Sequence, residues 1–177
     1  MLDSENDEQL DDARERAKSY SGDTSVQSLR QMCLSDDSDT RILGLVLMRL
    51  QIDSAELLTD YFDIARQLIE DQNNTCRWQS IIVIGEFIES DPDSVWEVAS
   101  YYGASDDEDM RDAVATVLLE HLLEYYFDTY FPRVRSLIQG GSMNLADTLS
   151  SCWPFGDAES RWDEVKAVLA EAGVMPL

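Results

Sequence analysis

The segment SDDSDTRILGLVLMRL, which opens at Ser35, returns as EDQNNTCRWQSIIVIGEF from Glu70 and as SDDEDMRDAVATVLLEHL from Ser105. Each copy has a polar or acidic loop, then an arginine (Arg41, Arg77 or Arg111), then an apolar helical stretch. The arginines are 36 and 34 residues apart. Upstream of each copy lies another stretch with apolar residues at helical spacing. A pair of helices recurring about every 35 residues is the sequence signature of an α-solenoid, in which each pair needs its neighbours to bury its apolar surface. The run Ile81-Ile82-Val83-Ile84 makes the same point. It forms an apolar belt that a single neighbouring surface does not cover.

Outward from these copies, the apolar spacing stays helical rather than alternating. An acidic tail over residues 1–7 precedes a short amphipathic helix over 8–20. Val26, Leu29, Met32 and Cys33 stripe a first paired helix, and a second runs over 40–52. Asp53 is placed to cap a third, with Glu56 at the position a capping box requires. Helices are expected next over 75–88 and after Asp91-Pro92, where proline at the first helical position loses no hydrogen bond. A long helix over 110–127 follows, then a fourth pair over 131–139 and 143–152 separated by Gly140-Gly141. Trp153-Pro154-Phe155-Gly156 reads as a turn, and 159–172 as a last helix. In the acidic loops, Asp39 and Asp109 are the expected caps.

Asp39-Thr40-Arg41 and Asp109-Met110-Arg111, each opening the second helix of a pair, resemble the HEAT-repeat family in its looser, HEAT-like sense. Thr75-Cys76-Arg77 keeps the arginine without the aspartate, and Ser142-Met143-Asn144 keeps neither. The resemblance covers residues 25–152 and implies an all-α superhelix of about four stacked helical pairs with a right-handed turn. Residues 1–24 would form an acidic tail and capping helix, and 153–177 a C-terminal capping helix. In that family the repeats commonly serve as protein-binding scaffolds, and a minority act on alkylated DNA.

Charge narrows the function classes. Across 177 residues, 36 Asp and Glu face 13 Lys and Arg, a formal net charge of −23. Such a field repels phosphates, so no direct nucleic-acid contact and no anionic membrane contact is expected. A high-salt source would also produce an acidic surface with only two lysines. Three cysteines, Cys33, Cys76 and Cys152, lack paired metal or redox spacings. The opening residues lack a basic, then apolar, leader pattern, so a cytoplasmic location is the expectation.

Arg41, Arg77 and Arg111 are expected to form a structural ladder, each engaging inter-helix carboxylates or carbonyls, for which the planar guanidinium fork is suited. His121, the single histidine, is expected to hydrogen-bond a carboxylate at a helix edge. Motifs for nucleotide, metal or nucleophile chemistry are not legible, so no catalytic residue, cofactor or metal is assigned. The candidate partner-binding residues are the carboxylates Asp36, Asp37, Asp106, Asp107 and Glu108, in excess of what capping requires. To these are added Tyr125, Tyr126 and Tyr130, from a segment with five aromatics in seven residues that cannot all face inward. The leading expectation is a non-catalytic acidic scaffold or adaptor for a basic protein. Its narrower form is an inhibitor or immunity protein mimicking nucleic acid against a nuclease-like partner. A HEAT-like DNA glycosylase, using Trp78, Trp96, Trp153 or Trp162 for stacking and Asp112 or Glu86 as carboxylate, would require a basic face that these helices lack.

Overall fold

Helix propensity and apolar spacing produce an all-α chain: in the computed structural model, all regular structure among the described residues, 4–52 and 59–175, is helical. Asp53 and Glu56, the expected capping box, lie outside those residues. The chain divides between Phe87 and Ile88 into two compact units.

The first unit holds α1 (Ser4–Lys18), α2 (Val26–Cys33), α3 (Ser38–Ile52), α4 (Thr59–Leu68) and α5 (Asn74–Gly85). α1 starts earlier than the spacing predicts, with Asp7 in its first turn, where negative charge favours a helix N-terminus. α2 pairs with α3 and α4 with α5; α3 then lies on α5 and α2 on α4. Crowded on several sides, α3 buries every residue from Ile42 to Met48. α1 covers α3 and α5 through Ala13 and Ala17, small buried residues that allow close approach. Gly44 allows a similar approach at the α2–α3 contact. A Cβ there would lie 2.9 Å from the Cys33 sulfur.

In the second unit, α6 (Pro92–Tyr102) starts at Asp91, whose side chain accepts the Ser94 N–H with Pro92 in the first turn. α7 (Glu108–Val114) continues through a π-helical turn, Ala115–Leu119, into α8 (Glu120–Gln139). The expected division between a helix over 110–127 and another over 131–139 survives as a kink at Tyr126, where φ is −139° and ψ 41°. α9 (Met143–Ser150), a 3-10 turn (Gly156–Arg161) and α10 (Trp162–Ala172) complete the unit. α9 packs on α7 and α8, and α10 packs on α8 and α9. Ile81, Ile84 and Leu118 are fully buried. Among the described residues, no helix is long and apolar enough to cross a membrane.

Candidate functional site

The two SDD loops are built alike, one in each unit. The Ser35 hydroxyl accepts the Asp37 N–H at 3.2 Å, and the Ser105 hydroxyl accepts the Asp107 N–H at 3.1 Å. Asp37 Oδ2 then accepts the Thr40 N–H at 3.0 Å, and Asp107 Oδ1 the Met110 N–H at 3.3 Å. The loop is closed by the arginine: Nη1 of Arg41 donates to the Ser35 carbonyl at 2.8 Å, and Nη1 of Arg111 to the Ser105 carbonyl at 2.9 Å. The caps are therefore Asp37 and Asp107, which corrects the expectation that Asp39 and Asp109 would serve. The Thr40 hydroxyl also donates to Asp37, and these hydrogen bonds hold its carboxyl below the usual range.

Each unit ties its loop to the next one by different chemistry. In the first unit, Arg41 donates from Nη2 to Asp71 Oδ1 at 3.0 Å, and its Nε lies 2.8 Å from Oδ2. Burial opposes the Arg41 charge, but Asp71 outweighs it and the guanidinium pKa rises. In the second unit, Asn144 Nδ2 donates to the Ala104 carbonyl at 3.2 Å and to Asp106 Oδ1 at 2.9 Å. Arg77 differs from the other two arginines: its Nη2 donates to Asn74 Oδ1 at 2.6 Å, within its own helix start. Asp36, Asp39 and Glu108 are exposed, and neither cap uses them.

The aromatic segment divides at the kink. Tyr130 is 1 % exposed and cannot act as a surface anchor as the structure stands; Tyr126 is half-buried, and Tyr125 is 49 % exposed. Phe127, Tyr130 and Phe131 are buried together, with the Phe127 and Phe131 rings stacked at 4.6 Å. Arginines close over these rings: Arg161 lies 4.3 Å from the Phe127 centroid, Arg133 4.9 Å from Tyr130 and Arg135 5.2 Å from Phe131. Asp93 accepts from both Arg133 (2.9 Å) and Tyr130 (3.2 Å). Those bonds lower the Asp93 pKa, while burial first and Asp93 second push the Tyr130 phenol up to about 12.

One arrangement is not legible in the sequence. Glu120, 7 % exposed, accepts the backbone N–H of Trp153 at 2.7 Å, and burial raises its pKa. Gly156, at φ +50°, packs so closely on Glu124 that a Cβ would lie 2.7 Å from both its Cγ and its carbonyl oxygen. Between these two anchor points the loop holds Trp153 and Phe155 outward, 62 % and 47 % exposed. On the adjoining turns of α8, His121 Nδ1 lies 2.8 Å from Glu124 Oε2, and the His121 ring is stacked with Tyr125 at 6.4 Å. The WPFG turn was a signal for a loop there, but not for which way its rings face.

The remaining chemistry-bearing groups are buried. Burial raises the thiols of Cys33 to about 12 and Cys76 to about 11, and Cys152 well above its ordinary value, so none is a ready nucleophile. Cys152 Sγ donates to the carbonyl of Ala115 in the π-helical turn at 3.5 Å. Glu86 accepts from Arg49 at 3.3 Å, and Asp112 is exposed; Trp78, Trp96 and Trp162 are half-buried. Among the described residues, no group of three or more His, Cys, Asp or Glu side chains could hold a metal ion. No family model, curated protein or solved structure matches the chain.

Proposed function

We propose that this protein is a non-catalytic, acidic protein-binding scaffold built of HEAT-like helical pairs, and that its partner is a basic protein. The observation that carries the reading is the division of labour within the SDD loops. One carboxylate per loop, Asp37 or Asp107, caps the helix, and Ser and Arg complete the turn. Asp36, Asp39 and Glu108 remain exposed and make no cap hydrogen bond. Carboxylates crowded within one loop of a chain of net charge −23 repel one another, and a cationic surface relieves that repulsion. They also accelerate encounter with such a surface and disfavour anionic competitors. The repeat reading is supported by the two loops sharing three hydrogen bonds at the same spacing, with Ser, Asp and Arg at equivalent positions. Arg41 and Arg111 serve as internal struts of those loops in this account.

Affinity capture from native lysate at low and moderate salt tests the proposal. A basic protein should be retained at low salt and released as the Debye length falls to about 8 Å near 0.15 M. Retention of acidic or neutral proteins alone, independent of salt, would overturn it. If the basic protein retained is a nuclease, the narrower reading as its inhibitor follows.

A further inference from the structure

We infer that the face formed by Trp153, Phe155 and Tyr125 is a second interaction surface, one that takes an arginine-bearing segment of a partner protein. Trp153 and Phe155 are exposed on one loop, and Gly156 of that loop packs on Glu124, the residue before the exposed Tyr125, so the three rings belong to neighbouring segments. Large exposed rings brought close together are favoured anchors for a protein partner. Their display is also enforced. A buried carboxylate, Glu120, is used to hold a single backbone N–H, that of Trp153. Burying an ionisable group for one such bond is unfavourable unless the placement of that backbone matters. Gly156 then presses the other end of the loop onto Glu124 at a positive φ. The loop is thereby fixed before binding, so the ordering entropy of the anchor rings is already met.

Charge identifies the occupant. Residues 120–128 and 153–159 together carry five carboxylates, Glu120, Glu124, Asp128, Asp157 and Glu159, and no lysine or arginine. Asp128 is engaged by Arg161. Glu124 lies beside His121 and Tyr125, while Asp157 and Glu159 are exposed on the turn that follows Phe155. Open aromatic faces with carboxylates around them suit a guanidinium, which stacks on a ring while donating to acids in its own plane. The protein uses the same pairing internally: Arg161 lies over Phe127 and donates to Asp128. This surface is independent of the SDD loops, and the two proposals can fail separately.

The test uses the full chain and a synthetic peptide of alternating arginine and glycine, with a second peptide in which citrulline replaces arginine. Binding is followed by the tryptophan indole N–H signals in NMR, with the Trp153 signal identified from Trp153→Phe. The arginine peptide should move the Trp153 signal, and the neutral citrulline peptide should not bind. Trp153→Ala and Tyr125→Ala should each weaken binding by about tenfold or more. Asp36→Asn/Asp39→Asn/Glu108→Gln should keep the Trp153 shift on peptide addition. Thermal melts check folding. If Trp153→Ala unfolds, Tyr125→Ala on the outer face of α8 decides the matter. Equal binding of the two peptides, no binding of either, or unaltered binding by Tyr125→Ala would overturn the assignment. A wild-type dimer that becomes monomeric in Tyr125→Ala, with no competition from the arginine peptide, would instead make this face a contact between copies and overturn it as well.

Discussion

Arg41 reaches the loop between α4 and α5 by gripping Asp71 side-on: Nη2 donates to Oδ1 at 3.0 Å and Nε lies 2.8 Å from Oδ2. The same guanidinium closes its own loop on the Ser35 and Asp36 carbonyls at 2.8 and 3.0 Å. One side chain therefore connects two inter-helix loops, with 15 % of Arg41 and 9 % of Asp71 side-chain surface exposed. Asp71→Ala should lose about 1.5–3 kcal/mol of stability by chemical denaturation, the range for a charge-assisted bond left unmade. Arg41→Lys should restore little, because an ammonium cannot reproduce the planar fork.

The core prediction concerns Ile84, fully buried in α5. Ile84→Ala should cost about 2–4 kcal/mol through lost transfer energy and the cavity left behind. A chemical-denaturation loss well below about 1 kcal/mol would contradict the packing described for the first unit.

Capping separates the carboxylates of the SDD loops. Asp107→Ala should lower stability by about 1 kcal/mol, the usual cost of losing an N-cap. Asp37→Ala should lower the melting temperature in the same direction, since Asp37 accepts both the Thr40 N–H and its hydroxyl. Asp39→Asn and Glu108→Gln should lower the melting temperature less than the cap variants do, because each loses a first-turn charge but no cap hydrogen bond. Differential scanning calorimetry of the four variants distinguishes capping from non-capping carboxylates.

These loops also show where sequence reading stops. The helices were legible because apolar residues recur at helical spacing and because Asp91-Pro92 and Gly140-Gly141 punctuate them. Which aspartate caps was not legible, since a run such as Asp36-Asp37-Ser38-Asp39 offers several oxygens of the same kind. The choice is made by backbone geometry: Asp107 is extended, at φ −77° and ψ 113°, with its N–H held by the Ser105 hydroxyl. Tyr130 was misplaced for a related reason. Leu123, Phe127, Tyr130 and Val134 recur at intervals of three and four across the kink at Tyr126, so Tyr130 belongs to the buried stripe, and five aromatics in seven residues do not by themselves say which face outward. The outward rings of Trp153 and Phe155 depend on Glu120, 33 residues earlier, a pairing that no local pattern encodes.

Glu120 makes a pH prediction with a definite sign. Its pKa is raised in the folded protein, chiefly by burial, so the folded state holds this proton more tightly than the unfolded state does. Stability from this group is present below the unfolded glutamate value of about 4.3 and declines as pH rises to the higher folded value. Above that value the penalty of burying the charge is complete. Glu120→Gln keeps an acceptor for the Trp153 N–H and removes the ionisation. The variant should be as stable as wild type or more so at pH 7, with that advantage shrinking as pH falls through this window. Asp37, Asp93 and Glu164, whose pKa values are lowered, act oppositely in both proteins and cancel in the comparison. Denaturation curves from pH 4 to 8, compared pairwise, provide the check.

The exposed carboxylates of the SDD loops are proposed to recruit a basic protein. The most direct measurement is the affinity of the basic partner obtained by capture, titrated against wild type and Asp36→Asn/Asp39→Asn/Glu108→Gln at low and moderate salt. Both caps remain in that variant, so it should keep its fold with at most a small loss of stability. The account predicts weaker binding at low salt and a flatter dependence on salt, because the charges that steer and hold the partner are gone. Equal affinities and equal salt slopes for the two proteins would contradict it.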